Sequence, residues 1–363
     1  MKIPLFKIYW DKNDIKAITD SIQRGRDWAC GPNIEKFEKL ISEYIGRKYA
    51  VVFNSGTSAL HALLIAYGFE KNDEVIVPSF SFIATANVPL FVGAKPVFAD
   101  IEEETYGLDP EDVRKKITSK TKAIIAMHYG GAACLKIKEL NSLAKKHGIL
   151  LIEDAAESFG AKLNNEKVGA FGDAAMFSFC QTKVFTTGEG GCIVTDSQDI
   201  YEKLKLLRSH GRTEDMKYLL LGYNFRMPDC IAALGISQIK KVDKLINIRR
   251  TKAKYYDKIL SGIDQIIIPK FPPNIYHVYQ EYHIRAKSRD ALKSYLAKKG
   301  IGTRISFPPI HKTYFYQKVL AYDDKLKTTE KISSQSLTLP LYPDLTEQEI
   351  NYIAREIRNF YGK

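Results

Sequence analysis

The sequence is poor in cysteine, in long apolar runs and in clustered charge. Its five cysteines among 363 residues, Cys30, Cys134, Cys180, Cys192 and Cys230, are odd in number, far apart and free of any C-x-x-C pair. That pattern argues against a disulfide framework and against a zinc site, and the expectation is a reduced, cytoplasmic protein without a metal. No stretch approaches the roughly 20 apolar residues of a membrane-spanning helix. The opening Met1-Lys2-Ile3-Pro4-Leu5-Phe6-Lys7 meets Asp11, Lys12 and Asp14 before any signal-peptide core could form, so neither secretion nor a membrane partner is expected. Internal repeats and low-complexity linkers are missing too. Lys and Arg total 54 against 42 Asp and Glu, a net +12. The excess is spread in pairs such as Lys145-Lys146, Lys240-Lys241 and Arg249-Arg250, which reads as a solvated surface rather than a nucleic-acid face.

With 45% hydrophobic and 26% charged residues, the chain belongs to the globular class, and its length admits one large or two ordinary domains. Ile34, Phe37, Leu40, Ile41 and Ile45 recur at helical spacing before the β-type run Tyr49-Ala50-Val51-Val52-Phe53. A small polar loop, Asn54-Ser55-Gly56-Thr57-Ser58, then opens an apolar helix from Ala59. Strand, Gly/Ser/Thr turn and helix together make an anion-binding geometry. Further short strands are expected at residues 74–78, 96–100, 121–128 and 149–152, with helices from about 81 and over 137–146. After a Gly-rich segment, Cys192-Ile193-Val194-Thr195 is expected as the last strand, followed by a helix over 198–207. The alternation predicts an α/β fold, a mostly parallel sheet covered by helices on both faces. A smaller α+β domain is expected beyond it, from a long helix at 244–260, segments at 279–285, 290–299 and 302–305, and a last helix at 346–361. The expected division is residues 1–243 and 244–363.

The chemistry concentrates in Ile152-Glu153-Asp154-Ala155-Ala156-Glu157, in Phe177-Ser178-Phe179-Cys180-Gln181-Thr182-Lys183 and in Gly188-Glu189-Gly190-Gly191. Asp154 falls at the carboxyl end of an expected parallel strand, and Lys183 follows another strand-like segment at the same edge, where open α/β sheets bind ligands. A lysine among small and apolar neighbours is desolvated, and its neutral amine can attack a carbonyl to form a Schiff base. Pyridoxal phosphate requires such a lysine, a carboxylate opposite its ring nitrogen and a phosphate cradle. Taken singly, each residue has a plainer reading: Lys183 as a solvated lysine, Asp154 as a helix cap, Phe82 as core, Glu189 as a turn residue and His128 as a hydrogen-bonded core histidine.

Beyond single residues, the chain resembles the nucleotide-sugar aminotransferases of the DegT/DnrJ/StrS family, a branch of the fold-type-I pyridoxal-phosphate enzymes. The resemblance runs through Gly31-Pro32-x-Ile34-x-x-Phe37-Glu38, Asn54-Ser55-Gly56-Thr57-Ser58-Ala59-Leu60 and Pro78-Ser79-Phe80-Ser81-Phe82-x-Ala84-Thr85-Ala86-Asn87. It continues through Glu153-Asp154-Ala155-Ala156, Phe177-Ser178-Phe179-x-x-Thr182-Lys183, Gly188-Glu189-Gly190-Gly191 and Gly222-Tyr223-Asn224-Phe225-Arg226-Met227. It implies an aspartate-aminotransferase-like large domain in which Lys183 carries the cofactor and moves the proton, and Asp154 pairs with the pyridine nitrogen. Gly56, Thr57 and Ser178 would hold the phosphate, Phe82 would stack on the ring, and Asn224 would reach the phosphate of a neighbouring subunit in a homodimer with shared sites. His311, in Pro308-Pro309-Ile310-His311, matches a histidine near the sugar-binding mouth.

Glu157 stands where many members of that family have Gln and is kept as a cofactor neighbour, paired or protonated. Cys180-Gln181 and Leu135-Lys136 replace commoner pairs. Relatives that deoxygenate sugars carry His at the lysine position, whereas this chain has Lys183. The resemblance implies amino transfer, with glutamate as donor and a nucleotide-linked keto-sugar as acceptor. His128-Tyr129-Gly130-Gly131-x-x-Cys134 points first to a 4-keto-6-deoxy sugar, and a 3-keto sugar is the second choice. A non-catalytic regulatory protein on the same fold and other pyridoxal-phosphate chemistry are the rival readings.

Overall fold

The computed structural model describes residues 1–362, so that Lys363, the last residue of the expected second domain, lies outside the described residues. In chain order the strands of the first part are β1 Tyr49–Phe53, β2 Glu74–Pro78, β3 Lys95–Ala99, β4 Thr121–Met127, β5 Leu150–Asp154, the two-residue β6 Lys162–Leu163 and β7 Glu166–Lys167, β8 Ala174–Ser178 and β9 Gly191–Thr195. The helices around them are α1 Lys12–Gln23, α2 Pro32–Ile45, α3 Gly56–Ala66, α4 Ala84–Phe91, α5 Pro110–Lys116, α6 Ile137–His147, α7 Gln198–Arg208 and α8 Asp229–Ile239. α9 Val242–Leu260 leads into β10 Ile266–Ile267, β11 Ile275–Tyr276, β12 Tyr282–Ala286, α10 Arg289–Lys298, β13 Arg304–Ile305, α11 Lys327–Gln335, β14 Ser336–Leu339 and α12 Glu347–Phe360.

Seven strands form the main sheet in the order β1-β9-β8-β5-β4-β2-β3. The pairs β8–β5, β5–β4, β4–β2 and β2–β3 are parallel, and β9 alone runs antiparallel to both of its neighbours. Because side chains alternate between faces of a strand, Val52, Ile76, Ile124 and Phe177 enter one core with α2 and α6. Val51, Phe53, Val75, Val77 and Ile125 enter the other with α3 and α7. Both faces are thus covered, and the strands carry continuous apolar runs, with polar residues mainly at their ends, rather than an alternation with polar residues. α3 is buried on most of its circumference, with Ala59, Leu60, Ala62, Leu63 and Leu64 inaccessible. Ser55 caps its start by accepting the Ser58 N–H at 3.0 Å.

A second, four-stranded antiparallel sheet has the order β10-β12-β14-β13. Its core joins Tyr256, Tyr282, Leu292, Leu337, Leu339, Ile350 and Ile353. The inner strand β14 has no counterpart in the sequence reading, and the helix expected from about 81 begins at Ala84. The first residues of the chain cross to this second core, where Ile3 bridges Ile301 in parallel. α9 serves both cores: Val242, Leu245 and Ile246 pack into the first, Ala253, Tyr256 and Leu260 into the second. All five cysteines are free thiols. Among the described residues no helix is long and apolar enough to cross a membrane.

Candidate active site

The parallel strands β2, β4, β5 and β8 all point their carboxyl ends to one edge of the main sheet, and β1 delivers the start of α3 to the same edge. The crevice there is a cavity of about 320 Å³ lined by Gly56, Thr57, Phe82, Asp154, Glu157, Ser178 and Lys183, together with Met127, Met176, Arg304 and Phe307. Seven of the residues singled out from the sequence therefore share one space. Gly56 sits in close approach: a Cβ there would lie 2.9 Å from Met176 Sδ and 3.3 Å from Ser178 Cβ, so a larger residue would have to push the end of β8 aside. The first unpaired N–H groups of α3, with the hydroxyls of Thr57 and Ser178 nearby, make this wall favourable to an anion.

Asp154 ends β5 and is buried, 3% exposed. Its Oδ2 accepts the Thr85 hydroxyl at 2.7 Å and its Oδ1 the Ala156 N–H at 3.2 Å. Thr85 Oγ1 is also 2.7 Å from Ser81 Oγ. Burial pushes the carboxyl above its usual range, against the opposing pull of the Thr85 and Ala156 hydrogen bonds and of Lys183.

Lys183 follows a turn closed by its own N–H donating to the Cys180 carbonyl at 3.0 Å. Its Nζ lies 3.5 Å from Glu157 Oε1. The other oxygen of Glu157 accepts the N–H of Gly130 at 2.8 Å, and Gly130 adopts φ 63°, a conformation glycine takes without strain. The charge partner of the amine is therefore Glu157, while Asp154 keeps its own donors.

Behind the cavity, His128 Nδ1 accepts the Cys134 N–H at 2.9 Å, which places the ring proton on Nε2, 2.9 Å from Glu153 Oε2. Glu153 also accepts the N–H groups of Gly169, Phe171 and Gly172, each at 2.8 Å. Burial alone would raise this carboxyl, but His128 and the backbone donors hold it below its usual range. His128 is thus part of the buried frame under the sheet edge.

Two residues from the sequence reading lie elsewhere. Asn224 is exposed, bridged to Ser209, and does not line the cavity. His311 is buried in a 3-10 turn docked on the end of β2; its Nδ1 lies 2.6 Å from Ser79 Oγ and its Nε2 3.3 Å from Glu330. Its ring is occupied by those contacts and does not line the cavity. Glu189, read as a turn residue, borders the cavity. Thr85, Arg304 and Phe307 carried no sequence assignment. Thr85 sits inside a quoted motif but shows its part only when its hydroxyl meets Asp154. Arg304, ion-paired with Glu281, and Phe307, whose ring centroid is 6.1 Å from that of Phe82, arrive through the pairing of β13 with β14.

The cavity fits pyridoxal phosphate in kind: one amine, a buried carboxylate on the same cavity, a helix that starts at a glycine packed against the end of β8, and an exposed aromatic face at Phe82. Such a crevice on a mostly parallel, doubly covered sheet defines a fold-type-I pyridoxal-phosphate enzyme. The chain belongs to the DegT/DnrJ/EryC1/StrS aminotransferase family, whose pattern matches residues 9–358. It is 36% identical over 370 residues to the GDP-perosamine synthase of Vibrio cholerae, covering 99% of each chain. It is equally 36% identical over 325 residues to the UDP-N-acetyl-3-dehydro-alpha-D-glucosamine 3-aminotransferase of Acidithiobacillus ferrooxidans, covering 88% of this chain and 86% of that one. The solved structure of Helicobacter pylori PseC, an aminotransferase involved in the biosynthesis of pseudoaminic acid, matches all of both chains with a TM-score of 0.95 and 30% identity. The protein is a pyridoxal-phosphate-dependent aminotransferase.

Proposed function

We propose that the chain transfers an amino group from glutamate to the ketone of a nucleotide-linked 4-keto-6-deoxy sugar, acting as a homodimer whose two sites are shared. The observation that carries this reading is the placement of Lys183 and Asp154 on one cavity whose wall is the start of α3. The similarity to a GDP-perosamine synthase over the full length supports the nucleotide-sugar acceptor, and the net charge of +12 favours a diphosphate-bearing substrate.

Pyridoxal phosphate, when bound, supplies the carbonyl that takes up the amine and the ring that delocalises negative charge. Lys183 then serves as the base and acid that moves one proton on the substrate carbon, a role its flexible stem and amine suit. Glu157, 3.5 Å from Lys183 Nζ, keeps that nitrogen at the cavity. Asp154, fixed by Thr85 and Ala156, keeps the ring nitrogen protonated through a charge-assisted hydrogen bond. The α3 start with Thr57 and Ser178 would hold the phosphate, and Phe82 would shield the ring from water. Asn224, exposed and away from this chain's own cavity, is free to complete the phosphate site of a second subunit. Donor and acceptor use the same cavity in turn, so the kinetics are ping-pong.

A 3-keto sugar is the second reading, favoured by the similarity to the Acidithiobacillus ferrooxidans 3-aminotransferase. The test incubates the purified, cofactor-loaded protein with glutamate and a panel of nucleotide-linked 4-keto and 3-keto sugars, with mass spectrometry of the products. Amination of a 4-keto-6-deoxy sugar is expected; turnover of 3-keto sugars alone overturns the first reading, and no amination of any keto-sugar overturns both.

A further inference from the structure

The segment that leads into β12 reaches across from the second sheet to the candidate active site. Arg250 Nη1 donates to the His277 carbonyl at 2.7 Å. Arg249, 3% exposed, donates through Nη1 to the carbonyls of Tyr279, Gln280 and Leu341 at 3.3, 3.4 and 3.0 Å. Two arginines of α9 thus hold the backbone of residues 277–280 from one side. From the other, Val278 N–H donates to the Gly131 carbonyl at 2.9 Å and Glu281 N–H to the Gly130 carbonyl at 3.1 Å. The fit is tight, since a Cβ on Gly131 would stand 2.6 Å from the Gln280 nitrogen.

Gln280, 6% exposed, sends its side-chain Nε2 to the carbonyl oxygen of Thr182, the residue before Lys183. Only the amide nitrogen can face that carbonyl, because two oxygens would repel. The bond fixes the plane of the peptide that enters Lys183. The same segment fixes Gly130, whose N–H holds the carboxylate of Glu157 beside the Lys183 amine. Gln280 Oε1, by contrast, is buried without a hydrogen-bond partner. The protein contact of the side chain's polar end is thus the one it makes as a donor to Thr182.

We propose that Gln280 is a positioning residue for Lys183, locking the backbone from which the amine is delivered while its segment locks the carboxylate that receives the amine. The inference rests on the reading of Lys183 as the proton-moving lysine.

Two variants of the cofactor-loaded protein test it. Gln280→Met keeps the length and loses the donor. It removes the unpaired Oε1 but leaves the Thr182 carbonyl without its donor, so it is expected to melt within a few degrees of wild type, to lose about tenfold or more in kcat with KM for glutamate nearly unchanged, and to move the pH midpoint of the bound cofactor's visible absorbance by about half a unit or more. Gln280→Glu can donate to Thr182 only when protonated. Its kcat relative to wild type is therefore expected to recover as pH falls through the pKa of the new carboxyl, which burial raises. A wild-type kcat and an unmoved midpoint in Gln280→Met, or a ratio flat with pH in Gln280→Glu, overturns the proposal; where Gln280→Met does not fold, the pH dependence of Gln280→Glu decides alone. Lys183→Ala run beside them separates the two levels: full turnover there overturns the underlying reading, whereas its loss with unaffected Gln280 variants overturns only the positioning role.

Discussion

An Asp154→Asn exchange keeps the size of a buried side chain and removes its charge. The surrounding donors can follow the change. The amide oxygen in the Oδ1 place still accepts from Ala156, 3.2 Å away, and the amide nitrogen in the Oδ2 place donates to Thr85 Oγ1. Thr85 then turns its own hydrogen toward Ser81 Oγ, 2.7 Å away, so both contacts keep a donor and an acceptor with their direction reversed. Stability moves the other way from a usual buried-site mutation. Burial raises the folded-state pKa of Asp154 above its ordinary 3.8. The folded protein therefore binds that proton more tightly than the unfolded chain, and the ionised carboxylate destabilises the fold above its folded pKa, a penalty absent below the unfolded value. The amide carries no such penalty, so the cofactor-free variant is expected to melt at or above the wild-type temperature at neutral pH. Chemistry suffers instead, because the amide cannot hold the ring nitrogen's proton by charge. Loss of one such electrostatic group costs at least about a hundredfold in turnover, or about 2.7 kcal/mol. The assay is turnover per bound cofactor, quantified by absorbance, with melting followed by circular dichroism. Near wild-type turnover at full loading would show that another residue faces the ring nitrogen, and a melting temperature lowered by several degrees would show that the carboxylate is there for the fold.

Lys183→Ala and Lys183→His are expected to lose the visible absorbance of lysine-bound cofactor and transamination together; persistent full turnover in either sinks the assignment. Mixing Lys183→Ala chains with Asn224→Ala chains places both defects in one site of a heterodimer and leaves the other intact, so random exchange should return about a quarter of wild-type turnover. No recovery once exchange is demonstrated refutes the shared site. Glu153→Ala strands the N–H groups of Gly169, Phe171 and Gly172 and the ring N–H of His128. At about 1–3 kcal/mol per buried unpaired group, a loss of about 4 kcal/mol or more is expected in urea unfolding, and a loss under about 1 kcal/mol refutes the frame role. Because the folded pKa of Glu153 lies below its ordinary 4.5, its contribution is complete above that pH and fades as pH falls through the folded value. The acid limb of the wild-type stability curve should accordingly be steeper than that of Glu153→Gln.

Much of the fold was legible because it is written locally. The runs at 49–53, 74–78 and 149–152 are short, apolar and rich in β-branched residues, and a period of two suffices to send Val51 and Val52 to opposite cores. The start of α3 was legible for the same reason, since Ser55 caps from within the loop that precedes it. Asp154 and Lys183 could be placed at one edge of the sheet because parallel strands bring all their carboxyl ends to one side. What the local pattern lacks is partners distant in the chain. The reversed β9 between β1 and β8, and β14 between β12 and β13, are choices of pairing that no window of residues contains. α9 has one continuous amphipathic pattern yet serves two cores, so periodicity could not say where one domain gives way to the next. The contact of Lys183 with Glu157 rather than Asp154 depends on the Gly130 N–H, 27 residues upstream of Glu157. His311 is held off the cavity by Ser79, 232 residues away, while Gln280 reaches Thr182 across 98 residues. Hydrogen-bond partners of that separation exist only once the chain has closed on itself. Composition and period therefore determined the strands and the edge at which Asp154 and Lys183 meet, the family resemblance supplied the other residues along it, and the tertiary structure decided the pairing of the strands and which of those residues touch.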